Sequence, residues 1–250
     1  MQKLLKSLTA LKKLGINTLK KSYEDEGSNF EEIQLARNLT SRVDMKLNVK
    51  IGGCEAKNDM INCQKINIDG VIAPMIETPF AFKKFIQTAS KLDNLSLFIN
   101  IESKTGLTNL KDITSMSNIS LLDGVIIGRS DLVSSFGYSP DYVDSKKIFQ
   151  KITSALKTIK QKNLKTKMGG NLTYKSIEMT KDLFKQRLLD CVETRNIEIP
   201  LNLKTLKNIN DIISEALIFE THFLEYLKNY HLNISKELNE RINKIKDRIV

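Results

Sequence analysis

The chain of 250 residues is 41% hydrophobic and 27% charged, which suits one large core, built either as a single α/β barrel or as two small domains. A net charge of +10 favours anionic partners, but the lysines are scattered over predicted helices instead of clustering with aromatics, which argues against a nucleic-acid surface. No apolar run is long enough to span a bilayer, and Cys54, Cys63 and Cys191, with neither C-x-x-C nor Cys/His zinc spacing, point to a reducing, cytoplasmic setting.

From the N-terminus, MQKLLKSLTALKKLG reads as a basic amphipathic helix over 1–14. It lacks the continuous apolar stretch and cleavage site of a signal peptide, so a docking or capping helix is expected, with membrane-surface association as the alternative. Short apolar, β-branched runs then predict strands at 16–23, 46–51, 69–76, 95–101, 122–127, 164–168 and 190–194. Between them FEEIQLARNLTSR, PFAFKKFIQTASKL and SKKIFQKITSALKTIKQKN carry apolar residues three and four apart, the second opening on Pro79, which a first helical turn tolerates.

The residues that end these strands are Glu26, Gly52, Glu77, Glu102, Asp131, Gly169 and Arg195, recurring at steps of 25 to 38 residues. Strands alternating with helices at this spacing imply a parallel sheet, because parallel neighbours need a crossover helix. Polar residues at nearly every strand end favour a TIM-type (β/α)8 barrel over residues 15–202, in modified form, whose loops ring one mouth. No G-x-G-x-x-G or P-loop pattern follows any strand, which weakens a nucleotide-binding alternative. Seven strands are read where eight are needed, so the eighth must lie between 131 and 169 or beyond Arg195. Residues 203–250 change pattern to two C-terminal helices, the second beginning with Ser235 as N-cap, whose apolar faces pack on the barrel or on a partner subunit.

Parallel strands would gather Glu24, Glu26, Lys50, Glu77, Glu102, Asp131 and Arg195 at the C-terminal mouth. Several carboxylates around one site suggest a divalent cation, and Mg2+ suits it because it takes oxygen ligands from one or two carboxylates and leaves the rest to water and an anionic substrate. Lys50 precedes Gly52-Gly53, whose bare backbone could approach an anion closely; Gly169-Gly170 could do the same or form a tight turn. A Schiff-base role for Lys50 is opposed by its acidic surroundings, which favour the charged amine. His222 and His231 both fall in the predicted C-terminal helices, so a histidine base inside the barrel is not expected unless such a helix reaches a mouth.

The segments VIAPMIETPFAFKKFI, FINIESKTGLTNLKDI and LDGVIIGRSDLVSSFG, in that order and spacing, resemble the HpcH/HpaI aldolase/citrate lyase family over about residues 44–137. The resemblance implies that Glu102 and Asp131 bind Mg2+, Mn2+ or another divalent cation, which would chelate a pyruvate-like substrate. Lys50 stands where the family has an arginine on the same oxygens, and lacks that residue's bidentate fork. The family's proton-transfer histidine comes from an early strand-end loop, where this chain has Tyr23-Glu24-Asp25-Glu26. That leaves the base to a carboxylate such as Glu24 or Glu26, to water on the metal, or to no group at all. Arg129, ahead of the metal aspartate where the family often has Pro, joins Lys50 among the catalytic candidates. Substrate contacts fall to Lys50, Gly52, Gly53, Glu77, Gly169, Gly170 and Arg195.

The resulting expectation is a homo-oligomeric, metal-dependent carbon-carbon lyase or aldolase acting through the enolate of pyruvate or a related 2-oxo acid. A citrate-lyase-like acyl-CoA or hydroxy-acid lyase is the nearest alternative, and a barrel that binds a small anion or a partner protein without turnover is the third.

Overall fold

The computed structural model describes residues 1–24, 26–92 and 94–246. The elements run α1 (Gln2–Lys13), β1 (Thr18–Ser22), α2 (Phe30–Arg42), β2 (Lys46–Lys50), α3 (Lys57–Lys65), β3 (Gly70–Ala73), α4 (Pro79–Ala89) and β4 (Ser96–Ile101). They continue with α5 (Lys104–Thr108), α6 (Leu110–Thr114), β5 (Gly124–Gly128), α7 (Arg129–Ser135), α8 (Lys146–Lys160), β6 (Lys165–Gly169), α9 (Ile177–Lys185), β7 (Cys191–Glu193), β8 (Ile197–Pro200), α10 (Leu203–Lys207) and α11 (Ile209–Lys246). Side-chain caps open several helices: Asn29 accepts from Glu32 N, Thr78 from Ala81 N, Ser103 from Gly106 N and Ser145 from Ile148 N.

The eight strands close into a TIM-type barrel in the order β1 to β8. Neighbours from β1 to β7 pair in parallel, whereas β8 is antiparallel to both β7 and β1. The reason is local. Only Thr194, Arg195 and Asn196 separate β7 from β8, too few for a crossover helix, so the chain turns back on itself. The eighth strand therefore lies beyond Arg195, and the 131–169 interval holds α7, a 3-10 turn at Pro140–Asp144 and α8.

Reversal of β8 returns the chain to the N-terminal end of the parallel strands, where Pro200 pairs with Cys191. From there α11 climbs back toward the mouth, burying Ile212, Ile213, Ala216, Phe219 and Phe223. It packs against α1, whose Leu4, Leu8 and Leu11 are buried, so the N-terminal helix is a docking helix against α11. No helix among the described residues is long and apolar enough to cross a membrane. The helix α11 passes through Ser235 without a break, because no Gly or Pro interrupts it and the apolar spacing is continuous there. Beyond Phe223 it projects past the core, exposing Leu224, Leu232, Ile234, Leu238, Ile242 and Ile245.

The main core lies between sheet and helices, where Leu19, Leu47, Val49, Val71, Ile99, Val125, Ile127 and Met168 face outward from the strands. Inside the barrel the apolar share is small, a separate cluster of Ile72, Phe98 and Ile126. The remaining interior is charged, unlike the branched aliphatic layers that usually fill this architecture. Lys167 Nζ sits 2.6 Å from Glu198 Oε2, 4.0 Å from Glu193 Oε1 and 3.8 Å from the centre of the Phe98 ring. Asn48 Nδ2 donates to Glu198 Oε1 at 2.7 Å, and Lys20 Nζ reaches Glu193 Oε2 at 2.6 Å. Burial alone would favour neutral forms, but opposite charge wins. Glu198 and Glu193 hold the Lys167 amine above the ordinary lysine value, and Lys20 and Lys167 hold the Glu193 carboxyl below the ordinary glutamate value.

Candidate active site at the barrel mouth

A cavity of about 540 Å³ opens at the C-terminal ends of the parallel strands. Its walls include Lys20, Ser22 and Glu26 from β1 and the loop after it, Lys50 from β2, and Asn100 and Glu102 from the end of β4. Gly128, Ser130 and Asp131 follow from β5 and α7, then Gly169 and Gly170 after β6, Glu193 to Arg195 at the β7–β8 turn, and Leu217 and Glu220 from α11. Strand parity explains the inward set: residues two apart face the same side, so Lys20 with Ser22 and Asn100 with Glu102 point into the barrel together.

Glu102 is 3% exposed, and its carboxylate is held from three directions. Oε1 accepts from Met75 N at 3.0 Å, and Oε2 accepts from Asn100 Nδ2 at 2.8 Å and from Lys50 Nζ at 3.3 Å. Space beside it depends on Gly128. A Cβ at that position would come within 2.6 Å of Glu102 Oε2. Asp131, in the first turn of α7, lines the same cavity and is exposed to it. Gly170 adopts φ +84°, and any Cβ there would stand 2.6 Å from Ser130 N, so the glycine lets the β6 loop press against the start of α7.

Lys50, Glu26, Glu102, Asp131, Gly169, Gly170 and Arg195 thus meet at one cavity, as the strand-end spacing predicts. Other expected site residues do not line it. Gly52 donates its N–H to Asp59 Oδ2 at 2.7 Å, and Glu24 approaches this glycine from outside the cavity. Gly53 follows in the same loop. Glu77 accepts from Ser103 Oγ, tying the loop after β3 to the cap of α5. Arg129 is fully buried behind the wall, donating to Asp144 Oδ1 at 2.7 Å, Asn171 O and Ser176 Oγ at 3.1 Å and Gly169 O at 3.3 Å. It fastens the loops that carry Pro140, Val143, Gly169 and Asn171, and burial lowers its affinity for the proton more than Asp144 restores it. Asp25 lies outside the described residues.

Sequence reasoning missed Lys20, Ser22, Asn100, Glu193 and Glu220 as lining residues. Parity with Glu102 could have found Asn100. Glu193 was hidden by extending β7 to 194. Glu220 sits in mid-helix, where no sequence signal places it near a strand end.

The donor set fits a hard divalent cation: two carboxylates, one just after β4 and one in the first turn of α7, line one cavity, the first of them buried and oriented, with room preserved by a glycine. No group of three or more His, Cys, Asp and Glu side chains able to hold a metal occurs among the described residues, so such an ion would take its remaining ligands from water and substrate.

Comparison with known proteins bears on this site. A family model described as HpcH/HpaI aldolase/citrate lyase matches residues 41–168, just over half of the chain. A 2-keto-3-deoxy-L-rhamnonate aldolase of Escherichia coli is 38% identical over 68 residues, which make up 27% of this chain and 24% of that protein. The match to this curated relative therefore spans about a quarter of its length. Among solved structures, an HpcH/HpaI aldolase/citrate lyase family protein from Burkholderia cenocepacia superposes with a TM-score of 0.60 at 12% identity, covering 76% of this chain and 82% of that one. Macrophomate synthase gives a TM-score of 0.57 at 13% identity, covering 89% of this chain and 91% of its own. At such identities the likeness is one of fold.

Proposed function

Because this chain belongs to the HpcH/HpaI aldolase/citrate lyase family, we propose that it is a carbon-carbon lyase of the aldolase type, acting through the enolate of pyruvate or a related 2-oxo acid. The observation that carries the reading is the buried Glu102 carboxylate, oriented by Met75, Asn100 and Lys50 and sharing one cavity with Asp131. Glu102 and Asp131 would hold Mg2+, Mn2+ or another divalent cation. That ion would supply Lewis-acid stabilisation of the negative charge developing at the 2-oxo oxygen.

The chain's own residues supply the rest. Lys50 and Lys20 bring positive charge to the cavity from adjacent strands, and Arg195 adds a third cation at its rim, which together favour an anionic carboxylate substrate. The Gly169–Gly170 backbone forms a wall that a planar acid can approach without meeting a Cβ. The names of the curated relatives make a 2-keto-3-deoxy acid a suitable model for the aldol to be cleaved. Free thiols at Cys54, Cys63 and Cys191 accord with a cytoplasmic setting. The apolar residues exposed on the distal half of α11 accord with a homo-oligomer, which light scattering would test: a monomer mass at working concentration counts against it.

The decisive experiment is exchange of pyruvate methyl protons with deuterium in D2O with Mg2+ or Mn2+. Exchange above the metal-only control is the expected result. None across several 2-oxo acids would leave the second reading, a barrel that binds a small anion without turnover. That second reading is favoured by one observation, that neither His222 nor His231 lines the cavity.

A further inference from the structure

We propose that Glu220, carried to the mouth by the C-terminal helix α11, is a catalytic residue that takes and returns the proton during cleavage, a role that rests on the aldolase reading above. Glu220 lines the same cavity as Glu102 and Asp131. Oε1 accepts from Thr194 Oγ1 and from Asn196 N, both at 2.7 Å, so the β7–β8 turn fixes the carboxyl group. Asn196 is itself tied to β1, donating Nδ2 to Lys20 O at 3.1 Å and to Glu26 Oε1 at 2.7 Å. The hydrogen bonds all fall on one oxygen. No described donor sits on Oε2, the atom left to meet a ligand.

Three other carboxylates of the described wall are differently committed. Glu26 has Lys21 on Oε2 and Asn196 on Oε1. Glu193 has Lys20 on Oε2, and its Oε1 is sealed from solvent. Both oxygens of Glu102 accept hydrogen bonds. Among the described residues, the charged groups that act on Glu220 are Lys20 from β1 and Glu26 from the loop after it. Burial, reinforced by Glu26, raises its carboxyl above the ordinary glutamate value against the pull of Thr194, Asn196 and Lys20. A carboxyl shifted toward neutrality is the more effective base, since proton transfer is best served by a group that titrates near the working pH.

The step balances. In cleavage, the Glu220 carboxylate removes the proton from the hydroxyl on C4, and the freed O–H pair becomes the new carbonyl π bond. The C3–C4 pair moves into the enolate, and the aldehyde departs. Protonated Glu220 then delivers the same proton to C3, which completes the methyl group and restores the carboxylate.

The test compares wild-type protein with Glu220→Gln, whose amide oxygen can still accept from Thr194 and Asn196. Both are assayed with Mn2+ and pyruvate in D2O across pH 5–9. Exchange by the wild type is the premise, and its absence overturns the aldolase reading together with this one. Given that exchange, Glu220→Gln should slow it by about 100-fold or more and remove the acidic limb of its pH profile. Pyruvate affinity, read by calorimetry, should change less than about threefold, the signature of a group that acts after binding. Glu220→Asp, with the carboxyl withdrawn by one methylene, should fall between the two and keep the limb. Exchange by Glu220→Gln within about fivefold of wild type, or a parallel loss of pyruvate binding, would overturn the assignment.

Discussion

Lys167 and Glu198 meet inside the barrel, Nζ on Oε2 at 2.6 Å, across the intervening strand β7. The pair is buried on both sides, with side-chain exposures of 6% and 7%. Such an arrangement punishes half-removal, because the surviving charge has no solvent to turn to. Lys167→Met should therefore destabilise the protein by about 3–5 kcal/mol in urea unfolding. Adding Glu198→Leu should restore part of that loss. A single variant within about 1 kcal/mol of wild type would mean that water screens the interior after all.

The same network sets a pH window. The raised Lys167 contributes stability that is complete below the ordinary lysine value, about 10.4, and is lost as pH climbs through its higher folded value. The lowered Glu193 contributes stability present above the ordinary glutamate value, about 4.3, and lost as pH falls through its lower folded value. Urea midpoints should decline at both ends of the scale. Glu220 has the opposite sign, because a raised carboxyl favours the folded state only when protonated. Glu220→Gln should thus unfold at a higher midpoint than wild type at pH 8, and this gap should narrow at pH 4.

Metal binding is to be read directly. Glu102→Gln and Asp131→Asn each remove a charged oxygen ligand, so each should weaken Mn2+ binding at least tenfold by calorimetry or by the relaxation rate of water protons. Unchanged affinity in both variants would show that the cation, if one is used, sits elsewhere on the wall.

Gly128→Ala tests the room beside Glu102. Its new methyl would stand 2.6 Å from Oε2, so either the carboxylate or the strand has to give. We expect weaker Mn2+ binding with a stability loss of about 1–3 kcal/mol, typical of added volume in a packed interior. Wild-type affinity in this variant would mean that Glu102 can be displaced without consequence.

Much of the barrel was legible because its signals are local. Runs such as LSLFINI and LDGVII carry β-branched density that a strand needs, and the 25 to 38 residue spacing leaves room for one helix each. Glu102 and Asp131 stood out for a similar reason: Glu102 follows directly on a clear strand, and Asp131 lies in the first helical turn after one. The charged interior was not legible. Lys20, Lys167 and Glu198 look like surface residues in sequence, and only closure of the sheet shows that their side of each strand faces inward. Strand β8 was too short to register, and its direction followed from a three-residue turn. Glu220 needed the whole topology, since its place at the mouth depends on the reversal of β8 some twenty residues earlier.

That reversal also gives the molecule a long arm. From Glu220 to Lys246 the helix α11 continues for 26 residues, roughly 39 Å at 1.5 Å each. The near part is pinned by Phe223, whose ring lies 4.5 Å from Lys21 Nζ, and by His231 against Glu32 of α2 at 3.1 Å. Beyond His231 the remaining 15 residues reach roughly 22 Å further at 1.5 Å each. Whatever touches the far tip meets the same continuous helix that carries Glu220 into the cavity wall.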